Sequence, residues 1–290
     1  MTSVLPIGIV GAGLVGLALA VRLQSEGFAV TGYDRDPARR KALADSGADA
    51  LAESADVFAR CDRVLLALLD DAQTANVLAA GSPRRGTVII DVHTGDPDAA
   101  ERFARELDAG GIAYIDAPLS GTSAAIERGD GVAMIGGHPE AVAACDDLWQ
   151  ALSRERFVLG AAGSGQRAKL ATNLVLGLNR AALAEGLAFA EALGIPGDTF
   201  VELLRATPAY SRAVDVKAER MLARDYAPES RISQHRKDLE LMLAAARNAG
   251  RGLPLTRVHA ALLDAAIAAG EGELDNAAIV ETLRRAPPIH

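Results

Sequence analysis

A chain of 290 residues, half of them hydrophobic and 23% charged, has room for about two domains with well-packed cores. Its formal net charge of −8 argues against nucleic acid as a partner, which would favour a basic face, but is compatible with a small acidic metabolite at a locally basic site. Cys61 and Cys145 stand far apart with no histidine or cysteine at metal-ligand spacing, so neither a metal site nor a disulfide framework is expected, and the reducing cytoplasm fits best.

No charged residue occurs from Thr2 to Val21. The run is nevertheless a poor signal peptide or membrane span, because no basic residue precedes it, Pro6 interrupts it and its glycines are ordered. "IGIVGAGLVGLALAVRL" begins as a β-branched strand and changes at Gly11 to a helical pattern, with Gly11, Gly13 and Gly16 in G-x-G-x-x-G spacing. The first glycine permits the turn, the second lets backbone approach a pyrophosphate, and the third lets helix and strand pack closely. The stretch Gly11, Ala12, Gly13, Leu14, Val15, Gly16 is therefore a candidate dinucleotide loop, with the helix N-terminus supplying amides. "FAVTGYDRD" reads as a second strand ending at Asp34, 18 positions after Gly16, where a carboxylate would meet the adenosine ribose. That position favours NAD over NADP, while Arg35, with Arg39 and Arg40 nearby, keeps NADP open.

Strand and helix patterns keep alternating: "DRVLLALL", "GTVIIDV", "IAYIDAPL" and "GVAMIGG" read as strands, and "AAERFARELDAGG" as an amphipathic helix with a glycine stop. The strand ends to watch for a ligand are the glycine loop, Asp34, Leu68 to Asp70, His93 and Thr94, and Pro118 to Thr122. After Gly165 the pattern turns helical. One helix of nearly thirty residues is predicted from Gly165 to about Leu193, then shorter ones over Thr199–Leu204, Ala213–Leu222, Ile232–Asn248, Pro254–Ala269 and Ala277–Arg285. The expected fold class is α/β: an N-terminal Rossmann-type doubly wound sheet over 1–162, then an all-α C-terminal substrate and oligomerisation domain over 163–290 built around the long helix. That helix is apolar on most faces, which points to burial between helices or between subunits of a homo-oligomer.

Lys169 lies near the start of this apolar rod, and Thr172 and Asn173, three and four positions on, project from the same side. The plain reading is a snorkelling lysine and an asparagine satisfying a carbonyl. Four motifs together carry a more specific one. "GIVGAGLVG", "DAPLSGT" (Asp116–Thr122), "GSGQRAKLATN" (Gly163–Asn173) and "KDLEL" (Lys237–Leu241) occur in the order in which the β-hydroxyacid dehydrogenase family, the 3-hydroxyisobutyrate dehydrogenase-like enzymes, has its motifs, and the chain resembles that family over essentially its whole length.

The resemblance implies an NAD(P)-dependent oxidoreductase of a small β-hydroxy acid, 3-hydroxyisobutyrate-like or sugar-acid-like, assembled as a homodimer or homotetramer. It implies Lys169 as catalytic acid/base with Asn173 positioning substrate, Ser120, Gly121 and Thr122 at the substrate carboxylate, and Lys237 at the cofactor or substrate edge. Leu68, Leu69, Thr94 and Arg35 join the glycine loop and Asp34 as the expected cofactor contacts. The chain departs from the family pattern at Thr122 (commonly glycine), Thr172 (often asparagine), Leu69 (commonly proline) and His93-Thr94 (commonly serine-threonine). Thr122, His93 and His235 hint at a polar, polyhydroxylated substrate.

The chemistry agrees: hydride transfer from a hydroxyl-bearing carbon needs a group that takes the hydroxyl proton and returns it in reverse. An amine does both if burial and a cationic nicotinamide favour its neutral form. The competing readings are His93 as acid/base, an imine reductase of the same architecture, against which the retained Lys169 speaks, and a non-catalytic cofactor-binding partner module. His138, His259 and His290 read as surface residues.

Overall fold

The structure is a computed structural model and describes residues 5–287, so the start of the charge-free N-terminal run and His290 lie outside the described residues. Two compact units are resolved, one up to Lys169 and one from Leu170 onward, and a single helix runs through the boundary.

In the first unit, strands β1 (Ile7–Val10), β2 (Val30–Tyr33), β3 (Asp49–Ala50), β4 (Arg63–Leu66), β5 (Val88–Asp91), β6 (Ala113–Asp116), β7 (Leu119–Ser120), β8 (Val132–Gly137) and β9 (Glu155–Gly160) form one sheet. The order is β3-β2-β1-β4-β5-β6-β8-β7, with β9 against β8. The run from β3 to β6 is parallel, β8 is antiparallel to β6 and β7, and β9 returns parallel to β8. Helices α1 (Leu14–Ser25), α2 (Pro37–Asp45), α3 (Ser54–Arg60), α4 (Asp71–Gly81), α5 (Pro97–Asp108), α6 (Ser123–Glu127), α7 (Pro139–Ala143) and α8 (Asp146–Leu152) make the connections.

Two-residue alternation divides the core into two layers. Ile7, Ile9, Leu65, Ile90 and Ile115 point to one face with Leu19 and Leu23 of α1; Val10, Val64, Leu66, Ile89 and Tyr114 point to the other with Phe58 of α3 and Phe103 of α5. Burial on both faces is why these strands read as apolar runs. Helix starts are set locally: Asp36 and Asp96 each cap a helix whose first residue is proline, and Asp70 caps α4 through the Gln73 amide.

The sequence expectations differ from the structure at three short strands. β3 and β7 have two residues each, too few to show a period, and β9, Glu155–Gly160, falls where no strand is expected.

The long helix, α9, spans Ser164–Ala192. In the second unit it is followed by α10 (Gly197–Ala206), α11 (Arg212–Ala223), α12 (Ile232–Asn248), α13 (Pro254–Ala268), a 3-10 turn at Asn276–Ala278 and α14 (Ile279–Arg284). Leu183, Leu187, Val201, Met221, Leu239, Met242, Leu263 and Ile279 form that unit's core. No helix among the described residues is long and apolar enough to cross a membrane.

The start of α9 is held from a distance. Asp116, at the end of β6 and wholly buried, accepts the Gly163 amide on Oδ1 at 2.8 Å and the Gln166 amide on Oδ2 at 2.7 Å, capping a helix that begins some fifty residues later. Burial raises this carboxyl, against those amide hydrogen bonds, to about 7. Asp116→Ala leaves both amides buried without an acceptor and is expected to cost about 1–3 kcal/mol of stability, with Asp116→Asn, which keeps one acceptor, losing less. Urea unfolding of the three proteins checks this, and equal midpoints would remove the capping role.

Candidate active site

β1 ends in the glycine loop, and the three glycines are required for different physical reasons. Gly11 has φ +97°, and a Cβ there would lie 2.4 Å from the Ala67 carbonyl oxygen; one on Gly16 would lie 1.8 Å from the Gly11 oxygen. A Cβ on Gly13 would meet nothing closer than the Arg39 guanidinium at 3.9 Å. Gly11 and Gly16 are therefore bound to the fold, whereas Gly13 borders open space at the N-cap of α1. No side chain caps that helix and its first turn holds no acid, so its amides face the side from which an anion would come. This loop fits a dinucleotide pyrophosphate.

Asp34, buried just past β2, accepts the Ala12 amide on Oδ2 at 2.7 Å and the Asp36 amide on Oδ1 at 2.8 Å. The second-strand carboxylate is thereby fixed against the glycine loop. Arg39 Nη1 lies 3.8 Å from Asp34 Oδ2 and Arg40 donates to the Asp34 carbonyl at 2.8 Å, while Arg35 is exposed. Of the other expected cofactor contacts, Leu14 is exposed and Val15 half-buried at the start of α1, and Leu68 lies beside Gly11. Leu69 is exposed, its amide reaching Gln73 at 3.4 Å, and Thr94 is half-buried in the turn after β5. Because β1, β2, β4, β5 and β6 are parallel, all these segments leave the same edge of the sheet, where the order reverses at β1.

Lys169 is buried, and its Nζ donates to the Leu119 carbonyl at 2.7 Å. The amine is thus brought to the residue before Ser120, Gly121 and Thr122, fifty positions away in sequence. The Thr122 hydroxyl is engaged as the cap of α6, accepting the Ala125 amide at 3.2 Å, which accounts for this departure from glycine without a substrate contact. In the second unit, Asn173 Nδ2 donates to Asp238 Oδ2 at 3.3 Å, and Lys237 Nζ lies 3.8 Å from Asp238 Oδ1. Asn173 is one turn beyond Lys169 on the same helix.

The structure adds residues that sequence reasoning passed over. Asp116, Gln166 and Asp238 all stand inside the quoted motifs, but their partners are distant in sequence and no local pattern marks them. His259, expected at the surface, is buried instead: its ring packs 5.2 Å from that of His235, and burial, helped by Arg180, lowers it to about 4. His138 is exposed. His93 has both ring nitrogens engaged, Nδ1 by Asp91 and Nε2 by Asp71 at 3.1 Å, so neither is available to take a substrate proton. Both cysteines are buried free thiols, raised by burial to about 11. Among the described residues no three His, Cys, Asp or Glu are grouped to hold a metal.

The glycine geometry separates fold from binding. Gly16→Ala is expected to unfold the protein at much lower denaturant, whereas Gly13→Val, at ordinary φ, should keep the melting temperature within a few degrees and weaken NADH binding by at least ~10-fold. Thermal unfolding and fluorescence titration of the two variants check the distinction, and unchanged NADH affinity in Gly13→Val would show that the loop holds no pyrophosphate.

Comparison with known proteins agrees with the geometry. Residues 6–160 match the NAD-binding domain of 6-phosphogluconate dehydrogenase, and residues 163–283 match the NAD-binding domain of NADP-dependent 3-hydroxyisobutyrate dehydrogenase. The L-threonate dehydrogenase of Cupriavidus necator is 31% identical over 281 residues, covering 95% of each chain. The 2-hydroxy-3-oxopropionate reductase of Escherichia coli is 29% identical over 96% of each. A crystal structure of a 3-hydroxyisobutyrate dehydrogenase from Salmonella typhimurium superposes with a TM-score of 0.88 at 26% identity, covering 96% of this chain and 99% of that one. The glycine loop with its buried aspartate, the capped lysine helix and matches to both halves lead to one conclusion: the chain belongs to the β-hydroxyacid dehydrogenase family.

Proposed function

We propose that this chain is an NAD(P)-dependent dehydrogenase of a small β-hydroxy acid, with Lys169 as the general acid/base. The observation that carries the reading is the buried amine whose Nζ donates to the Leu119 carbonyl, one residue before the Ser120–Thr122 loop. When bound, the nicotinamide exchanges a hydride with the carbon that bears the hydroxyl. Lys169 takes the hydroxyl proton in oxidation and returns it in reduction. Asn173, one turn on, orients the substrate through its amide, with Asp238 fixing that amide. Ser120 and the Gly121 and Thr122 backbone hold the carboxylate, and Lys237 adds positive charge at the cofactor or substrate edge.

Residues 163–290 serve as the substrate and oligomerisation domain. A homodimer or homotetramer is supported by apolar side chains that one chain leaves uncovered along α9 and α13, among them Val175, Phe189, Leu255 and Val258. Two buried free thiols fit a reducing compartment such as the cytoplasm. The hints of a sugar acid drawn from Thr122 and His93 lose their force once those side chains are engaged by α6 and by carboxylates. A sugar-acid-like substrate is favoured instead by the relatives named for L-threonate and 2-hydroxy-3-oxopropionate.

NAD is the favoured cofactor. Asp34, fixed by two amides just past β2, would accept the ribose hydroxyls and oppose a 2′-phosphate, whereas the exposed Arg35 is free to turn to solvent. Catalytic efficiencies with NAD and NADP on the hydroxy acid found active by screening should favour NAD, and Asp34→Ala should move the ratio toward NADP. A clear NADP preference in the unmodified protein would overturn this assignment.

Lys169→Ala should lower kcat by at least ~10²-fold while NADH still binds nearly as before. Asn173→Ala should have a smaller effect, divided between kcat and KM. Near-normal turnover without the amine rejects Lys169 as the proton-transfer group.

A further inference from the structure

His93 stands where the family commonly has serine, and nothing in the proposed proton transfer uses it. Its ring is almost completely buried between Asp91 at the end of β5, itself without solvent exposure, and Asp71 in the first turn of α4. Asp91 Oδ1 meets the His93 Nδ1 and also accepts the His93 amide at 3.2 Å. The other oxygen, Oδ2, accepts the Tyr114 hydroxyl at 2.9 Å and the Thr74 hydroxyl at 3.2 Å. Asp71 Oδ1 lies 3.1 Å from the His93 Nε2, and its Oδ2 accepts the Asp96 amide at 3.0 Å. Two carboxylates on opposite nitrogens require both to be donors, which is the cationic form. Burial alone would lower the imidazole, but Asp91 and Asp71 outweigh it and carry it to about 10.

The clamp acts on a short turn. Gln166 of α9 donates to the His93 carbonyl at 2.9 Å and accepts the Gly95 amide at 3.0 Å, so the residues on both sides of Thr94 are pinned. Asp71 holds the same turn twice, through the His93 ring and the Asp96 amide. Thr94 is the residue between these anchors, and Lys169 follows Gln166 by three positions on α9.

We propose that His93 is a positioning residue for the nicotinamide half of the cofactor site: bridging Asp91 and Asp71, it locks the β5–α5 turn so that Thr94 is presented in one orientation. The proposal rests on the dehydrogenase reading above. It assigns a role to a departure from the family pattern, since a serine side chain is too short to span both carboxylates. Without the imidazolium the two acids lose the cation between them, and the turn keeps only the Asp96 amide of its two links to Asp71. The adenosine half, built from the glycine loop and Asp34, contains none of these groups.

The test uses two ligands that share one half. Fluorescence and calorimetric titration give the affinities of the unmodified protein, His93→Ser and His93→Ser/Asp71→Asn for NADH and for ADP-ribose, which lacks nicotinamide. In His93→Ser, NADH is expected to bind at least ~10-fold more weakly while ADP-ribose stays within about twofold. The double variant, relieved of the facing carboxylates, should recover part of the NADH affinity. Asp71→Asn alone keeps the His93–Asp91 contact and should weaken NADH by a smaller factor, which provides the measurement if His93→Ser does not fold. Unchanged NADH affinity in both single variants overturns the proposal, as does an equal loss for both ligands, which would mean that the clamp only supports the fold. If the unmodified protein binds neither NADH nor ADP-ribose, the dehydrogenase reading fails first, and that result is distinct from failure in the variants alone.

Discussion

The arrangement depends on one carboxylate, Asp116, holding two amides at the start of α9. A 29-residue helix presents unpaired amides at its beginning, and where these find their acceptor sets where the helix starts. Because the acceptor stands at the end of β6, the beginning of α9 is registered against the sheet. Gln166, whose amide is one of the two held, then reaches with its side chain to the turn after β5, and Lys169 reaches the carbonyl just before the Ser120 loop. The end of β6, the turn after β5 and the start of β7 are thereby connected to the first two turns of α9, the first through backbone amides and the others through the Gln166 and Lys169 side chains.

The parallel sheet brings the remaining pieces to the same edge. Parallel strands buried on both faces leave little polar chemistry in their interiors, so it gathers where they end. Here those ends carry the glycine loop, Asp34, Leu68, the His93–Thr94 turn and Asp116. Several of these groups are buried acids, and each is offset by its own means: Asp34 by amides of the glycine loop and of Asp36, Asp91 by an imidazolium and two hydroxyls, Asp116 by helix-start amides. A chain carrying a net charge of −8 can hold acids in its interior only where donors meet them.

The second unit uses buried charge for structure. Asp275 takes Lys217 at 2.7 Å and the Ala277 and Ser230 amides at 3.0 Å; despite burial, Lys217 and the amides hold its carboxyl below the usual carboxylate range. Its hydrogen-bond partners come from α11, from the segment before α12 and from the 3-10 turn, and Arg180 of α9 adds its charge. Asn173, Asp238 and Lys237 form a second group, on α9 and α12, whose Asp238 also interacts with the Arg180 charge. The first ties the segment before α12 to α11, and the second ties α9 to α12.

The glycine spacing and its strand-turn-helix setting, the acid after the second strand, the alternation that gives a parallel sheet, and the long helix with Lys169 near its start are all legible along the chain. All of these follow from interactions between near neighbours or from periodic burial, and the bounds of α12, Ile232–Asn248, are those its periodicity predicts. Where the polar groups find partners depends on packing between distant segments. Nothing near Asp116 in the chain reveals that it caps a helix fifty residues on, nothing near His93 indicates that Asp71 faces its far nitrogen, and Thr122 gives no sign that its hydroxyl is occupied by α6 rather than facing a substrate. His259 departs from its expected surface position for the same reason, since a histidine on a helix is buried or exposed according to what packs over it, here the ring of His235. Periodicity is written by neighbours along the chain, whereas the acceptor for a buried donor is whichever group the packed fold brings within about 3 Å.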